Sequence, residues 1–141
     1  MGVSLYYSAK RGTPLTAEER ATVERLVDEG ERALREEALE LFPTWHETGE
    51  VPLGYRSPAE VFEGLWLYEE EHLSDGQVLA GSSKMPPPVC GVEPLLAQLR
   101  HYLDALTRMR RALPDAHWHV HADDAEIPWG EDGYTLGDGT R

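Results

Sequence analysis

The chain has 141 residues, of which 40% are apolar and 28% charged, a composition typical of one globular domain rather than a disordered segment. Its 26 acidic residues outnumber 13 basic ones, and the resulting net charge of −13 disfavours nucleic-acid binding through direct contacts with phosphates. No apolar run approaches the length of about 18 residues that a membrane span requires, and no secretory leader is evident. The single cysteine, Cys90, suits a reducing compartment, so the sequence predicts a cytoplasmic protein.

One strand and one long helix are predicted at the start of the chain. Residues 3–9 alternate between two faces and are rich in strand-forming side chains. Thr16 and Glu19 have the spacing of a capping box, which indicates a helix start. Apolar residues then recur at helical spacing as far as about Leu41, and Pro43 is expected to end the helix.

The middle of the chain predicts a β-hairpin preceded by irregular structure. Prolines and glycines interrupt residues 43–60, where residues 51–55 form either a short edge strand or a loop. The segment 57–60 has the pattern of a single helical turn with proline at its first position. Residues 65–68 and 77–82 are strand-prone and flank an Asp-Gly turn, which is typical of a hairpin.

The last third of the chain predicts a helix, a strand and an extended tail. Apolar residues at three- and four-residue steps indicate an amphipathic helix over residues 92–113, which Pro114 terminates. Residues 117–122 alternate histidine with apolar residues and predict a strand. Residues 123–132 read as an acidic loop, and residues 133–141 as a turn followed by a tail that frays.

This order of elements, β-α-β-β-α-β, predicts a single domain of the α+β class covering residues 1–141. Two amphipathic helices would pack on one face of a mostly antiparallel sheet of about four strands, giving a two-layer sandwich. The face under the helices would contain Leu5, Tyr7, Leu65, Leu67, Trp118 and Val120. The opposite face would present Tyr6, Trp66, Tyr68 and the three histidines of the last strand. An open face with so many rings predicts a surface for a ligand, a partner or a second copy of the chain.

The last strand also carries the sharpest local motif. His117, His119 and His121 occupy alternate positions, so their side chains point the same way at a spacing of about 7 Å. Two such imidazoles can bind one metal ion, zinc or another divalent transition metal, with Asp123 or Glu126 as a carboxylate ligand. The alternative is an exposed strand on which histidine is only a tolerated residue. Three neighbouring imidazoles would also make this surface sensitive to pH.

No catalytic motif accompanies these features. The sequence lacks a nucleophile elbow, a phosphate loop and a dinucleotide fingerprint. Glu69, Glu70 and Glu71 lie near the predicted hairpin turn. Solvated charges that protect the edge of the sheet are a simpler interpretation of these residues than a catalytic acid/base pair. The function predicted first is therefore non-catalytic binding of a protein partner, with a basic protein favoured by the acidity of the chain. The residues assigned to it are Tyr6, Trp66, Tyr68, Glu69, Glu70, Glu71 and His119.

Two alternatives remain open at this point. One is a small metal-binding protein or metal-dependent enzyme that uses the histidine strand. The other is a structural homodimer that buries the aromatic face. In its small size, acidity and arrangement of elements, the chain resembles in a general way the acidic immunity proteins of bacterial polymorphic toxin systems. That resemblance implies a compact α+β domain that covers a toxin, an immunity- or adaptor-like function, but no residue motif assigns the chain to that family.

Overall fold

The computed structural model describes residues 3–135 and shows helices packed on one side of an antiparallel sheet. The helices are α1 (Ala17–Thr48), α2 (Pro58–Val61) and α3 (Val92–Ala112). The strands are β1 (Ser4–Lys10), β2 (Trp66–Leu67), β3 (Gln77–Lys84), β4 (His117–Ala122), β5 (Ala125–Glu126), β6 (Trp129–Gly130) and β7 (Gly133–Tyr134). The main sheet has five strands in the order β2-β3-β1-β4-β5, and β6 pairs with β7. The predicted α+β class and the packing of helices with an antiparallel sheet are confirmed, although the sheet contains five strands rather than four.

Helix α1 begins as predicted but ends seven residues beyond Leu41, so the expected stop at Pro43 is wrong. Thr16 and Glu19 form both hydrogen bonds of the capping box. Pro43 removes one helical N–H, and the carbonyl that loses this bond belongs to Leu39, which is 58% exposed and can be hydrated. The helix continues because Phe42 and Trp45, on either side of Pro43, are buried in the core.

The segment that gave no clear prediction lies against the helical layer. Val51 is buried and its N–H donates to the carbonyl of Trp45, while His46 Nε2 lies 2.8 Å from the carbonyl oxygen of Tyr55. Residues 51–55 form a loop rather than an edge strand, and the helical turn predicted at Ser57 is present as α2. The proline-rich middle of the chain is thereby held on the helix side of the molecule.

The core lies between the two layers. The side chains of Leu5, Tyr7, Leu65, Trp118 and Val120 are buried as predicted, and Leu67 is half-buried. Helices α1 and α3 pack closely against each other at Gly30. A β-carbon on Gly30 would lie 3.0 Å from that of Ala105, so a larger residue would push the helices apart.

A cluster of charged groups joins α1 to α3 at the surface. Arg100 and His101 both contact Glu37, at 2.8 Å (Nη2 to Oε2) and 3.0 Å (Nε2 to Oε1). The Arg100 guanidinium, and to a smaller extent His101, hold the pKa of the Glu37 carboxyl at about 2, although partial burial acts in the opposite direction.

We expect Glu37 to make stability depend on pH in the acid range. Its pKa is lower in the folded chain (about 2) than the ordinary value of 4.5, so its contribution is complete above about pH 4.5 and is lost as the pH falls towards 2. Because Arg100 is well exposed, the contribution is about 1 kcal/mol or less. The measurement is the melting temperature of wild type and Glu37→Gln between these pH values. The two curves should converge at the acid end, and a constant separation would contradict the assignment.

The end of the described chain packs on α3, at the start of the segment predicted to form a turn followed by a frayed tail. Gly133 and Tyr134 are buried, and the N–H of Tyr134 donates to Thr107 Oγ1 on α3. Arg110 lies over the ring of Trp129, 4.2 Å from its centroid, and donates to the hydroxyl of Tyr134. These contacts attach the β6–β7 hairpin to α3. The remainder of the predicted tail, residues 136–141, lies outside the described residues.

None of the helices within residues 3–135 combines the length and the apolar composition needed to cross a lipid bilayer.

Candidate partner-binding surface

Strand register places one set of rings on the sheet face that the helices do not cover. Tyr6 on β1 pairs with Ser82 on β3 and with His121 on β4, so these three side chains form one row across the face. Ser8 pairs with His119 in the next row. Tyr6 is 37% exposed and His119 is exposed, and the proline-rich segment packs elsewhere. The predicted assignment of the two faces is therefore confirmed for these residues.

The rings of this face form a stacked ladder. The Tyr6 and His121 ring centroids are 5.1 Å apart with planes inclined by 22°, and those of His121 and His119 are 4.8 Å apart and inclined by 29°. His121 Nδ1 lies 2.7 Å from the main-chain oxygen of Asp123, which orients the central ring. The ladder presents a flat, partly apolar surface with polar edges, a combination that suits contact with another molecule.

Tyr68 and Trp66, both predicted as binding residues, lie at different places along the sheet edge. Tyr68 is 45% exposed, and its hydroxyl donates to Ser82 Oγ at 2.9 Å, so it borders the open face. Trp66 is 60% exposed, and although it pairs with Ser82 by register, it lines a groove together with side chains of α1. Only Tyr68 therefore extends the stacked ladder's surface, and Trp66 belongs to the edge.

A cleft of about 720 Å³ adjoins Tyr68, between the β2–β3 hairpin, the loop after β1 and the first turns of α1. Its acidic lining residues are Glu24, Glu69, Glu70, Glu71 and Asp75. Its floor includes the apolar side chains of Val23, Leu67 and Leu79. The structure thus groups the three predicted glutamates with Asp75 from the same hairpin and with Glu24 from α1.

The charge of this cleft is only partly neutralised. Arg11 lines it, but its guanidinium is bound by Glu19 and Asp115, which lie outside the lining. Arg20 is 3.7 Å from Glu70. Among residues 3–135, the side chains of the four other lining acids, Glu24, Glu69, Glu71 and Asp75, make no hydrogen bond or ion pair. The cleft therefore has a negative potential that favours cationic groups.

The predicted metal ligands are not brought together. In the part of the chain that the structure describes, no group of three or more His, Cys, Asp or Glu side chains is placed to hold a metal ion. His119 and His121 stack face to face, so their in-plane nitrogen lone pairs do not converge on one point, and Asp123 contacts His121 through its main-chain oxygen. The histidines at 117, 119 and 121 thus alternate along one side of the strand, but they and Asp123 do not direct their ligand atoms at one metal position.

The buried side chains whose pKa values are raised are not activated as nucleophiles. Burial raises the pKa of the Cys90 thiol, and it also raises the pKa of the Tyr7 and Tyr102 phenols. All three stay protonated at neutral pH, and the two phenols donate to main-chain oxygens, of Trp66 and Glu63 respectively. These groups serve the fold.

Comparison of the chain with protein families, with curated proteins and with solved structures gives no match in any of the three. The surface itself is therefore the basis for a proposed function.

Sequence reasoning missed two members of the acidic cleft. Glu24 was one of several charges on the solvent face of a helix, and Asp75 was interpreted only as a turn residue. Asp75 is close to Glu71 in the sequence, but the proximity of Glu24 to these residues depends on the hairpin folding back over the start of α1. No local signal predicts that contact.

Proposed function

We propose that this chain is a non-catalytic protein-binding module, and that its aromatic sheet face and adjoining acidic cleft bind a basic protein. The observation that supports this most directly is the continuity of the two surfaces at Tyr68. That residue borders both the ladder of Tyr6, His121 and His119 and the cleft with its unneutralised carboxylates. An immunity- or adaptor-like role belongs to this class of function.

The exposed rings indicate a surface that binds another protein rather than one that contacts only solvent. Tyrosine loses little conformational entropy on binding, has a large contact area and offers a hydroxyl, which is why it is common among the residues that dominate interface affinity. Tyr6 is already held by stacking on His121, and Tyr68 by its bond to Ser82. Rings that are preorganised in this way lose less freedom when a partner covers them.

The acidity favours a basic partner. A net charge of −13 attracts cations over long range, and a cleft with four unpaired carboxylates focuses that attraction beside the rings. Lysine or arginine side chains could enter the cleft while apolar side chains of the same partner cover the ladder. Affinity should therefore decrease as salt concentration rises.

The first experiment locates the binding surface. A photo-crosslinking amino acid is introduced at His119, or in a separate variant at Glu36, which is exposed on α1 in the helical layer. After irradiation in lysate of the source cells, we expect one basic protein to be crosslinked to the His119 variant in every repeat. The Glu36 variant should not be crosslinked to that protein. Equal labelling by both variants, or labelling by neither, would argue against the sheet face as an interface.

The second experiment tests the role of charge with the partner so identified. Because two reversed charges remove attraction and add repulsion, we expect Glu69→Lys with Glu71→Lys to weaken binding about tenfold, mostly through slower association. The control is Glu36→Lys with Glu40→Lys, which changes net charge equally on the exposed side of α1. Calorimetry measures the affinity, and stopped-flow mixing measures the association rate. An equal loss of affinity in both double variants would show that only the net charge matters, not the position of the acidic residues.

A homodimer is the other use that the uncovered face allows. Two copies joined through that face would bring like-charged acidic regions together, which opposes association unless the rings outweigh it. Sedimentation at millimolar concentration separates the possibilities, since a face-to-face dimer should dissociate when Tyr6 is replaced by Glu. A monomer at every concentration leaves the basic partner as the occupant.

A further inference from the structure

A second surface lies on the other side of the β2 edge. A groove of about 440 Å³ is formed where α1, α2 and β2 meet, and it is lined mainly by apolar and aromatic side chains. Leu39 and Trp66, which are 58% and 60% exposed, line it together with the buried side chains of Leu34 and Tyr102. A volume of this size lies within the range of small-ligand sites, which is about 300–1,000 Å³.

The position of Trp66 at this groove depends on contacts between the main chain before β2 and the side chain of Glu31. Glu31 Oε2 accepts the N–H of Leu65 at 2.8 Å, which fixes the start of β2 against α1. A β-carbon on Gly64 would come within 2.6 Å of that same oxygen. Glycine at this position therefore leaves room for the Glu31 carboxylate beside the start of β2.

The charged residues of the groove differ in what they contact. Three of them line it: Glu31, Glu63 and Arg35. Glu31 accepts the N–H of Leu65, and Glu63 Oε1 accepts the N–H of Lys84 at 2.6 Å. Within residues 3–135, Arg35 makes no hydrogen bond or ion pair. The two carboxylates are thus engaged by the chain's own backbone, while the guanidinium keeps all of its donors available.

We propose that this groove binds a small carboxylic acid with an aromatic or branched apolar body. The body lies between Leu39 and Trp66 over Leu34, and the carboxylate is bound by Arg35 at the rim. The fork of N–H donors on a guanidinium matches the two oxygens of a carboxylate, so arginine favours this group over a neutral polar one. The inference is independent of the protein-binding function, because it uses a different surface and an anionic ligand.

The test uses three probes that share the naphthalene ring system and differ in charge: naphthoate, naphthylmethanol and naphthylmethylammonium. Binding is followed by NMR through the indole N–H of Trp66, identified among the four tryptophans by its loss in Trp66→Phe. We expect naphthoate to bind about fivefold more tightly than the alcohol, as one solvent-exposed ion pair predicts, and the ammonium probe to bind no better than the alcohol.

Three variants test which residues are responsible for binding and for the preference. Arg35→Gln should abolish the preference for naphthoate, while Arg32→Gln, on the same helix but paired with Asp28, should retain it. Leu39→Asp should weaken all three probes. Both replaced groove residues are exposed, so folding is preserved. Tighter binding of the ammonium probe, an unchanged preference in Arg35→Gln, or no shift of the Trp66 signal by any probe would overturn the proposal.

Discussion

Replacing Gly81 by alanine should destabilise the protein by about 3 kcal/mol, the upper part of the range for overpacking a filled interior. A β-carbon at this position would overlap the main-chain oxygen of Trp66 and come within 2.6 Å of Tyr7 Cε2. The carbonyl cannot move aside easily, because it belongs to the paired strand β2 and accepts a 2.6 Å hydrogen bond from the buried Tyr7 hydroxyl. Relief requires β2 to separate from β3.

Urea denaturation measures this effect, and two other variants divide it into its causes. Tyr7→Phe removes only the hydrogen bond and should cost about 1 kcal/mol. Gly12→Ala, where a β-carbon would meet nothing within 4 Å, should change stability by less than about 0.5 kcal/mol. If Gly81→Ala were as mild as Gly12→Ala, the close approach of β2 to β3 would have to be wrong. Because Trp66 is part of β2, the same variant should also disturb the groove.

The second large effect is expected at Gly133, in the part of the tail that packs on α3. Gly133 has φ +94°, and a β-carbon there would come within 2.7 Å of Thr107 Oγ1 and even closer to the Thr107 methyl group. Backbone strain and steric overlap together should make Gly133→Ala cost about 2–4 kcal/mol. The strand would lose the bond from Tyr134 N–H to Thr107 and the contact of Arg110 with Tyr134.

The control for this experiment lies in the same hairpin. Gly130 has no neighbour within 4 Å of the position a β-carbon would take, so Gly130→Ala should be nearly neutral. Hydrogen exchange at the Tyr134 amide reports the local loss, and the melting temperature reports the global one. Faster exchange without a change in melting temperature would show that the hairpin opens separately from the core, contrary to the prediction of a cooperative loss.

Most of the secondary structure was predictable because its signals are local. The capping box at Thr16 and Glu19, the apolar stripe of α3 and the alternation of residues 117–122 each depend on neighbours within a few positions. The same alternation correctly separated Tyr6 and His119 from Tyr7 and Val120. A strand's two faces are determined by its period, so one correct assignment orients the whole strand.

The failures occurred where distant contacts override a local rule. Pro43 ends isolated helices, but burial of Phe42 and Trp45 continues α1 through it. The tail after Asp132 has a loop-like composition, yet Tyr134 is buried against Thr107 on α3. In each case apolar burial outweighs a local propensity of a few kcal/mol at most.

Local patterns along the chain were sufficient for the fold class, for the helical layer and for the row of rings on the outer sheet face, because the periods of helix and strand assign each side chain to a side. The acidic cleft, the displacement of Trp66 to the edge groove and the separation of the histidine nitrogens emerged only when the chain was folded. Each of these depends on distances between segments far apart in sequence, and such distances are determined by how side chains fill the space between layers.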